Sequence, residues 1–217
     1  DLHKSSLFPY TTLFRSGSFA TLLGSIAQFV VTLLLGGIAL ASSRYLYLSA
    51  AEPSRAWNVV VWSALLIGCS AVFLFFSPGA FARLLLAIPW LKRFERHAHV
   101  LDSFSRADLM RIFLLSLLRY GVFTLQFAIV LVVIAHVDAM EAMMSVPVVF
   151  LLTTLVPTMA LTELGVRGSV ATTFIAGDDM GIMVSTALIW LINLMIPAIV
   201  GGVILLVARI RTSETAS

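Results

Sequence analysis

Residues 180–208 read MGIMVSTALIWLINLMIPAIVGGVILLVA, twenty-nine residues without a charged side chain, closed by Arg209 and Arg211. A bilayer core of about 30 Å takes about 20 helical residues, so this run is long enough to cross one. Working back toward the N-terminus, residues 17–43 and 56–82 are also free of charge. Pro78 and Gly79 place the end of the second of these near Phe76. Residues 109–135 form a fourth run, carrying Arg111 and Arg119.

The whole composition agrees with these runs. Sixty per cent of the 217 residues are apolar and 12% charged, and the formal net charge is +3. The mean hydropathy is +1.03. Ordinary soluble domains carry about 25% charged residues. A soluble enzyme, a disordered tail and a nucleic-acid-binding module are thereby excluded, since the bases lie in short loops rather than on one face. The one cysteine, Cys69, sits in an apolar run, so neither a disulfide framework nor a cysteine-rich metal site is available. The fold expected is all-α: a polytopic transmembrane helix bundle.

Residues 145–179, SVPVVFLLTTLVPTMALTELGVRGSVATTFIAGDD, break the pattern. Two apolar arms, 145–161 and 168–176, are each short for a span. Pro147 and Pro157 interrupt the first arm, and Gly165 and Gly168 flank the expected joint. Seven hydroxyls, Thr153, Thr154, Thr158, Thr162, Ser169, Thr172 and Thr173, lie in or beside the arms. Broken backbone is tolerated at membrane depth only where protein, hydroxyls or cavity water satisfy the freed groups. The segment reads as a broken or re-entrant helical element.

Charge bias gives the direction, because cytoplasmic loops collect Lys and Arg. The stretch 77–108 holds Arg83, Lys92, Arg93, Arg96 and Arg106 and faces the cytoplasm. Within it, Phe81, Leu84, Leu85, Ile88 and Trp90 beside the basic cluster describe an interfacial helix. The stretch 136–144 carries Asp138 and Glu141 without Lys or Arg and faces outward. If 145–176 is re-entrant, Asp178 and Asp179 stay outside and Arg209 and Arg211 reach the cytoplasm. If it crosses, both assignments reverse.

Polar residues inside the runs are the candidate functional positions. Gly24, Gln28, Thr32 and Gly36 recur every four residues, the mark of a helix-packing stripe. Ser116, Arg119, Tyr120, Phe123 and Gln126 share about a third of a helix circumference. Arg119 is deep in its run, where an arginine costs about 2.5–3.5 kcal/mol on insertion scales. It serves either a lipid headgroup or a structural ion pair. Glu163 and Arg167 are four apart, so one helical turn brings them onto one face. Asp178-Asp179 reads as a solvated turn, and Asn193, Pro197 and Gly201 as a kink. His97 and His99 lack further ligands. No nucleophile–base pair, phosphate loop or metal-ligand spacing occurs, so neither catalytic residues, nor a metal, nor a cofactor is expected.

The first sixteen residues stand apart. Residues 7–16, LFPYTTLFRS, resemble the conceptual translation of a widely used sequencing adapter. Residues 1–16 are therefore expected to be non-native, with the natural sequence entered near Gly17 and helices missing upstream.

The runs LLRYGVFTLQF (117–127) and PVVFLLTTLVPTMALTELGVRGSV (147–170) resemble the lysylphosphatidylglycerol synthase transmembrane family, also described as flippase-like integral membrane proteins. ALTELGVRGS (160–169) is the most specific stretch and is similar to the stand-alone bacterial form, without a soluble aminoacyl-transferase domain. The resemblance covers residues 17–211, as the C-terminal two-thirds of a longer protein, and leaves 212–217 as a polar tail. It implies a multi-pass protein of the bacterial inner membrane that moves a phospholipid or related lipid-linked headgroup between leaflets. It implies Arg119, Gln126, Glu163 and Arg167 as headgroup-binding positions, and Gly165, Gly168 and Pro157 as structural motif positions. The partners expected are membrane lipids: an anionic or aminoacylated phospholipid, or a lipid-linked glycan. A second copy of the chain or a lipid synthase is the expected protein partner, and nucleic acid is not one. Two other readings stay open: a membrane-embedded enzyme acting on a lipid-linked substrate, and a non-catalytic membrane partner of a lipid synthase.

Overall fold

The computed structural model describes residues 8–47, 55–77, 79–80, 105–156 and 160–214. It is all-helical, without a strand among those residues. The helices are α1 (Phe8–Tyr47), α2 (Arg55–Phe76), α3 (Arg106–Ile134), α4 (Ala139–Leu155), α5 (Ala160–Phe174), α6 (Asp179–Trp190) and α7 (Ile196–Glu214), with a π-helical turn, Leu191–Met195, between the last two. Four segments are long and apolar enough to cross a membrane: Leu23–Ser42, Arg55–Phe76, Arg106–Ile134 and Asp179–Leu206. The chain is thus an integral-membrane helical protein. Val59, Trp62, Leu66 and Phe73 of α2 all point outward, as a lipid-facing surface requires.

The helix ends follow from local chemistry. Ser105 Oγ accepts from Asp108 N–H at 3.2 Å and donates to the Asp108 carboxylate at 2.6 Å, which starts α3. His136, at φ 53°, ends it. Asp138 caps α4 by accepting from Met140 N–H and Glu141 N–H, and Asp178 caps α6 by accepting from Gly181 N–H at 2.8 Å. Pro197 has no N–H to return to Asn193 O, and the π turn just before it is marked by Ile196 N–H reaching back to Leu191 O.

Residues 8–16 belong to the backbone of α1, with Pro9 in the first turn, where an N–H is not needed. Two sequence expectations change. Pro147 does not interrupt its arm: α4 runs through it, and the residue is buried among Val146, Val148 and Val149. Gly165 and Gly168 do not flank a joint either, because α5 is continuous from Ala160 to Phe174. A glycine costs a helix only about 1 kcal/mol relative to alanine, which packing readily offsets. The first arm instead ends at Val156, extended at φ −98° and ψ 109°. Val156 precedes Pro157 in sequence, and a residue before proline is kept out of the α region. Pro157 itself and the basic stretch 81–104 lie outside the described residues.

The chain forms two compact units, residues 1–123 and 124–217. In the first, Leu23, Ala27 and Val30 of α1 pack with Phe75 of α2 and Leu109 of α3. Phe75, Phe76 and Phe113 add ring contacts with centroids 5.3 to 6.1 Å apart. The close approach of α1 and α2 runs through Gly37 and Gly68. A Cβ on Gly68 would stand 2.9 Å from Leu33 O and 3.0 Å from Leu34 Cα, and one on Gly37 3.1 Å from Ala64 O. Backbone cannot yield as a side chain tip can. Gly68→Val is therefore expected to lower stability by about 1–3 kcal/mol, the range for overpacked cores. Gly121→Ala, with open space around it, should be neutral in the same thermal-unfolding series.

Candidate functional site

In the second unit four helix ends meet. A Cβ on Gly181, at the start of α6, would stand 2.9 Å from Ala135 Cα, just past the end of α3. Gly177, at φ 157°, sits against Val137. Ala176 N–H, just past α5, donates to Glu141 Oε1 in the first turn of α4 at 2.9 Å. The hairpin formed by α4 and α5 therefore leaves from and returns to one end of the unit, where α3 finishes and α6 begins. Its core is built from Phe127, Leu131, Val146, Val149, Ala171, Ile175 and Ile182. Ring packing of Phe127 against Phe150, at 6.1 Å, ties α3 to α4. Gly168 is buried where α5 meets α6, and a Cβ there would stand 3.7 Å from Met183 Cε.

Hydroxyls along the hairpin serve their own helices. Thr153 and Thr154 donate to Val149 O and Phe150 O, and Thr172 and Thr173 to Gly168 O and Ser169 O. Such back-bonds keep a polar side chain satisfied without a tertiary partner.

Glu163 and Arg167 are brought together. Arg167 Nη2 donates to Glu163 Oε1 at 2.5 Å, and both side chains are about a third exposed, at 28% and 34%. They are the charged residues of the hairpin between Glu141 and Ala176. Arg167 is nine residues from Ala176 and Glu163 thirteen, which at about 1.5 Å per residue is roughly 14 and 20 Å from the open end. The pair is reachable from outside the unit and lies far from the open end, with Glu163 in the first turn of α5.

The other expected site residues fall differently. Arg119 belongs to the first unit. It is exposed, and its guanidinium lies over the Phe123 ring of its own helix, 5.2 Å from the centroid. The stripe expected on α3 divides: Ser116, Tyr120, Thr124, Phe127 and Leu131 form the buried face, while Arg119 and Gln126 lie off to one side of it. Gln126 is in the second unit, half-buried, with its Oε1 buried and without a hydrogen-bond partner. Gly165 is exposed, with nothing within 4 Å of where a Cβ would stand.

Sequence reasoning missed two features. Glu141 was legible only as a loop charge and proves to clasp the hairpin; its partner is 35 residues away, a distance no local pattern reports. Trp190 was read as part of an apolar run, yet its Nε1 is buried without a partner. No group of three or more His, Cys, Asp or Glu side chains that could hold a metal occurs among the described residues. Comparison of the chain with protein-family models, with curated proteins and with solved structures gives no match.

Proposed function

We propose that this chain is a lipid-translocating, flippase-like protein of the bacterial inner membrane, related to the lysylphosphatidylglycerol synthase transmembrane family, and that α4–α5 is its re-entrant element. The observation that carries the reading is the Glu163–Arg167 pair, deep in a hairpin that returns to the end it left. A phospholipid headgroup crossing a bilayer needs polar partners where hydrocarbon offers none, and ionisable residues at depth are the usual means. Arg167 can meet a phosphate, and Glu163 can meet a cation or balance Arg167. The helices of the hairpin, 17 and 15 residues, are about 26 and 23 Å long, short of a bilayer core of about 30 Å. The basic residues of 77–108 and Arg209–Arg211 would then face the cytoplasm.

The test is reconstitution. Purified protein in liposomes carrying a headgroup-labelled phospholipid in one leaflet should speed its redistribution at least about tenfold over protein-free vesicles, roughly a 1.4 kcal/mol lower barrier. Redistribution at the protein-free rate, from correctly inserted and folded protein, would remove the transport reading.

A further inference from the structure

Met140, Met143 and Met144 are three of the chain's eight methionines and fall within five residues. All three lie at the start of α4. Positions i, i+3 and i+4 are neighbours on a helix surface, with Cβ atoms about 5–6 Å apart, so the helix alone gathers these thioethers on one face. Met140 is 59% and Met143 41% exposed, and Met144 is half-buried. Deeper in, the same face is covered: Pro147 and Leu151, the next positions down it, are buried. A lipid-facing strip stays open along its helix, as Val59, Trp62, Leu66 and Phe73 do on α2. The methionines are instead open only at the end of the unit, at the mouth of a packed face.

Sulfur there has a chemistry that packing does not call for. Leucine would fill a similar volume without a lone pair, and Met-to-Leu exchanges are among the best tolerated. Soft, polarizable thioethers favour Cu(I), whereas the harder divalent ions take imidazole, carboxylate or carbonyl ligands. A cation at the first turn of a helix works against the backbone dipole. Asp138, the cap of α4, and Glu141 in its first turn bring two carboxylates to offset it. No Lys or Arg lies between Arg119 and Arg167 to oppose them. Met180 and Met183, at the start of α6, are two rather than three. Met183 is also engaged on α5, with its Cε 3.7 Å from where a Cβ on Gly168 would stand.

We propose that Met140, Met143 and Met144 form a three-thioether site for Cu(I), at the end of the second unit where α4 begins. The site does not depend on the transport reading.

The test is Cu(I) competition. The purified full chain carrying Cys69→Ala, which removes an exposed thiol able to take the same ion, would be titrated without oxygen against a chromophoric Cu(I) chelator. Uptake of one equivalent is expected, and Zn(II) in about tenfold excess should not displace it. X-ray absorption of the bound copper should show sulfur neighbours alone. Met140→Leu, Met143→Leu and Met144→Leu should each weaken binding at least about tenfold, since even outer-shell changes at metal sites cost about 10–100-fold. Each should keep the metal-free thermal midpoint of the parent, because volume is conserved. Met180→Leu should bind as the parent does. Cu(I) should raise the midpoint of the parent and leave that of the triple leucine variant unmoved. Absence of uptake by the parent overturns the proposal. So do nitrogen neighbours around the copper, which would assign it to histidine, and a triple leucine variant that binds as tightly as the parent. An equal loss in Met180→Leu overturns it as well.

Discussion

The double variant Glu163→Gln, Arg167→Gln is expected to insert and accumulate like the parent chain but to move labelled lipid roughly a hundredfold more slowly. The magnitude follows from the contacts removed. Hydrogen bonds to charged groups are worth about 1.5–3 kcal/mol, and about 2.8 kcal/mol is a hundredfold in rate. The single variants should behave worse in a different way. Arg167→Gln leaves Glu163 with an uncompensated charge roughly 20 Å into the hairpin, and Glu163→Gln leaves Arg167 so at roughly 14 Å. Breaking a buried pair by removing one partner costs about 3–5 kcal/mol, a figure to be discounted here because both side chains are about a third exposed. Each single variant should therefore lose expression and thermal stability as well as transport. The double variant should recover the first two and not the third. If the pair only holds the shape of α5, removing both charges should restore transport along with stability. Normal leaflet redistribution by a well-expressed double variant would sink the headgroup role.

How far the sequence foretold this site depends on which physical signal each residue carries. The long helices were legible because uncharged runs of twenty or more residues have few alternatives in water or in lipid. Predicted ends at Phe76 and near Ala135 fall within a residue of the observed ones. The joint of the hairpin was misplaced by several residues. Glycine and proline were weighed alike as breakers, whereas the backbone separates them: α5 passes through Gly165 and Gly168, and α4 through Pro147, but Val156 turns extended ahead of Pro157. The Glu163–Arg167 pair was legible because a spacing of four within one helix is a local property. Glu141 was not, since its role arises only when the start of α4 meets the end of α5. Arg119 shows the limit from the other side. Depth along α3 was readable, but a helical wheel could not say that its guanidinium would lie over Phe123 rather than on the buried face.

Topology gives the second large effect, because its readout is all or none. Met140 and Met180 are exposed at the starts of α4 and α6, each beside a capping aspartate rather than in its place. In a Cys69→Ala background, Met140→Cys and Met180→Cys should both react with a membrane-impermeant thiol reagent in intact cells. Ser213→Cys should react only after permeabilisation. The reasoning rests on three contacts: Gly181 against Ala135, Gly177 against Val137, and Ala176 N–H on Glu141. Together they hold the end of α3, both feet of the hairpin and the start of α6 at one level. A crossing α4–α5 would have to carry Ala176 to the opposite face, about 30 Å from Glu141. The bond between Ala176 N–H and Glu141 is the contact on which the proposed re-entrant course rests. Charge bias points the same way, since re-entrance keeps Asp178 and Asp179 with Asp138 and Glu141, and sends Arg209 and Arg211 to the side of Lys92 and Arg93. Labelling of position 140 without position 180, or the reverse, would mean that the segment crosses.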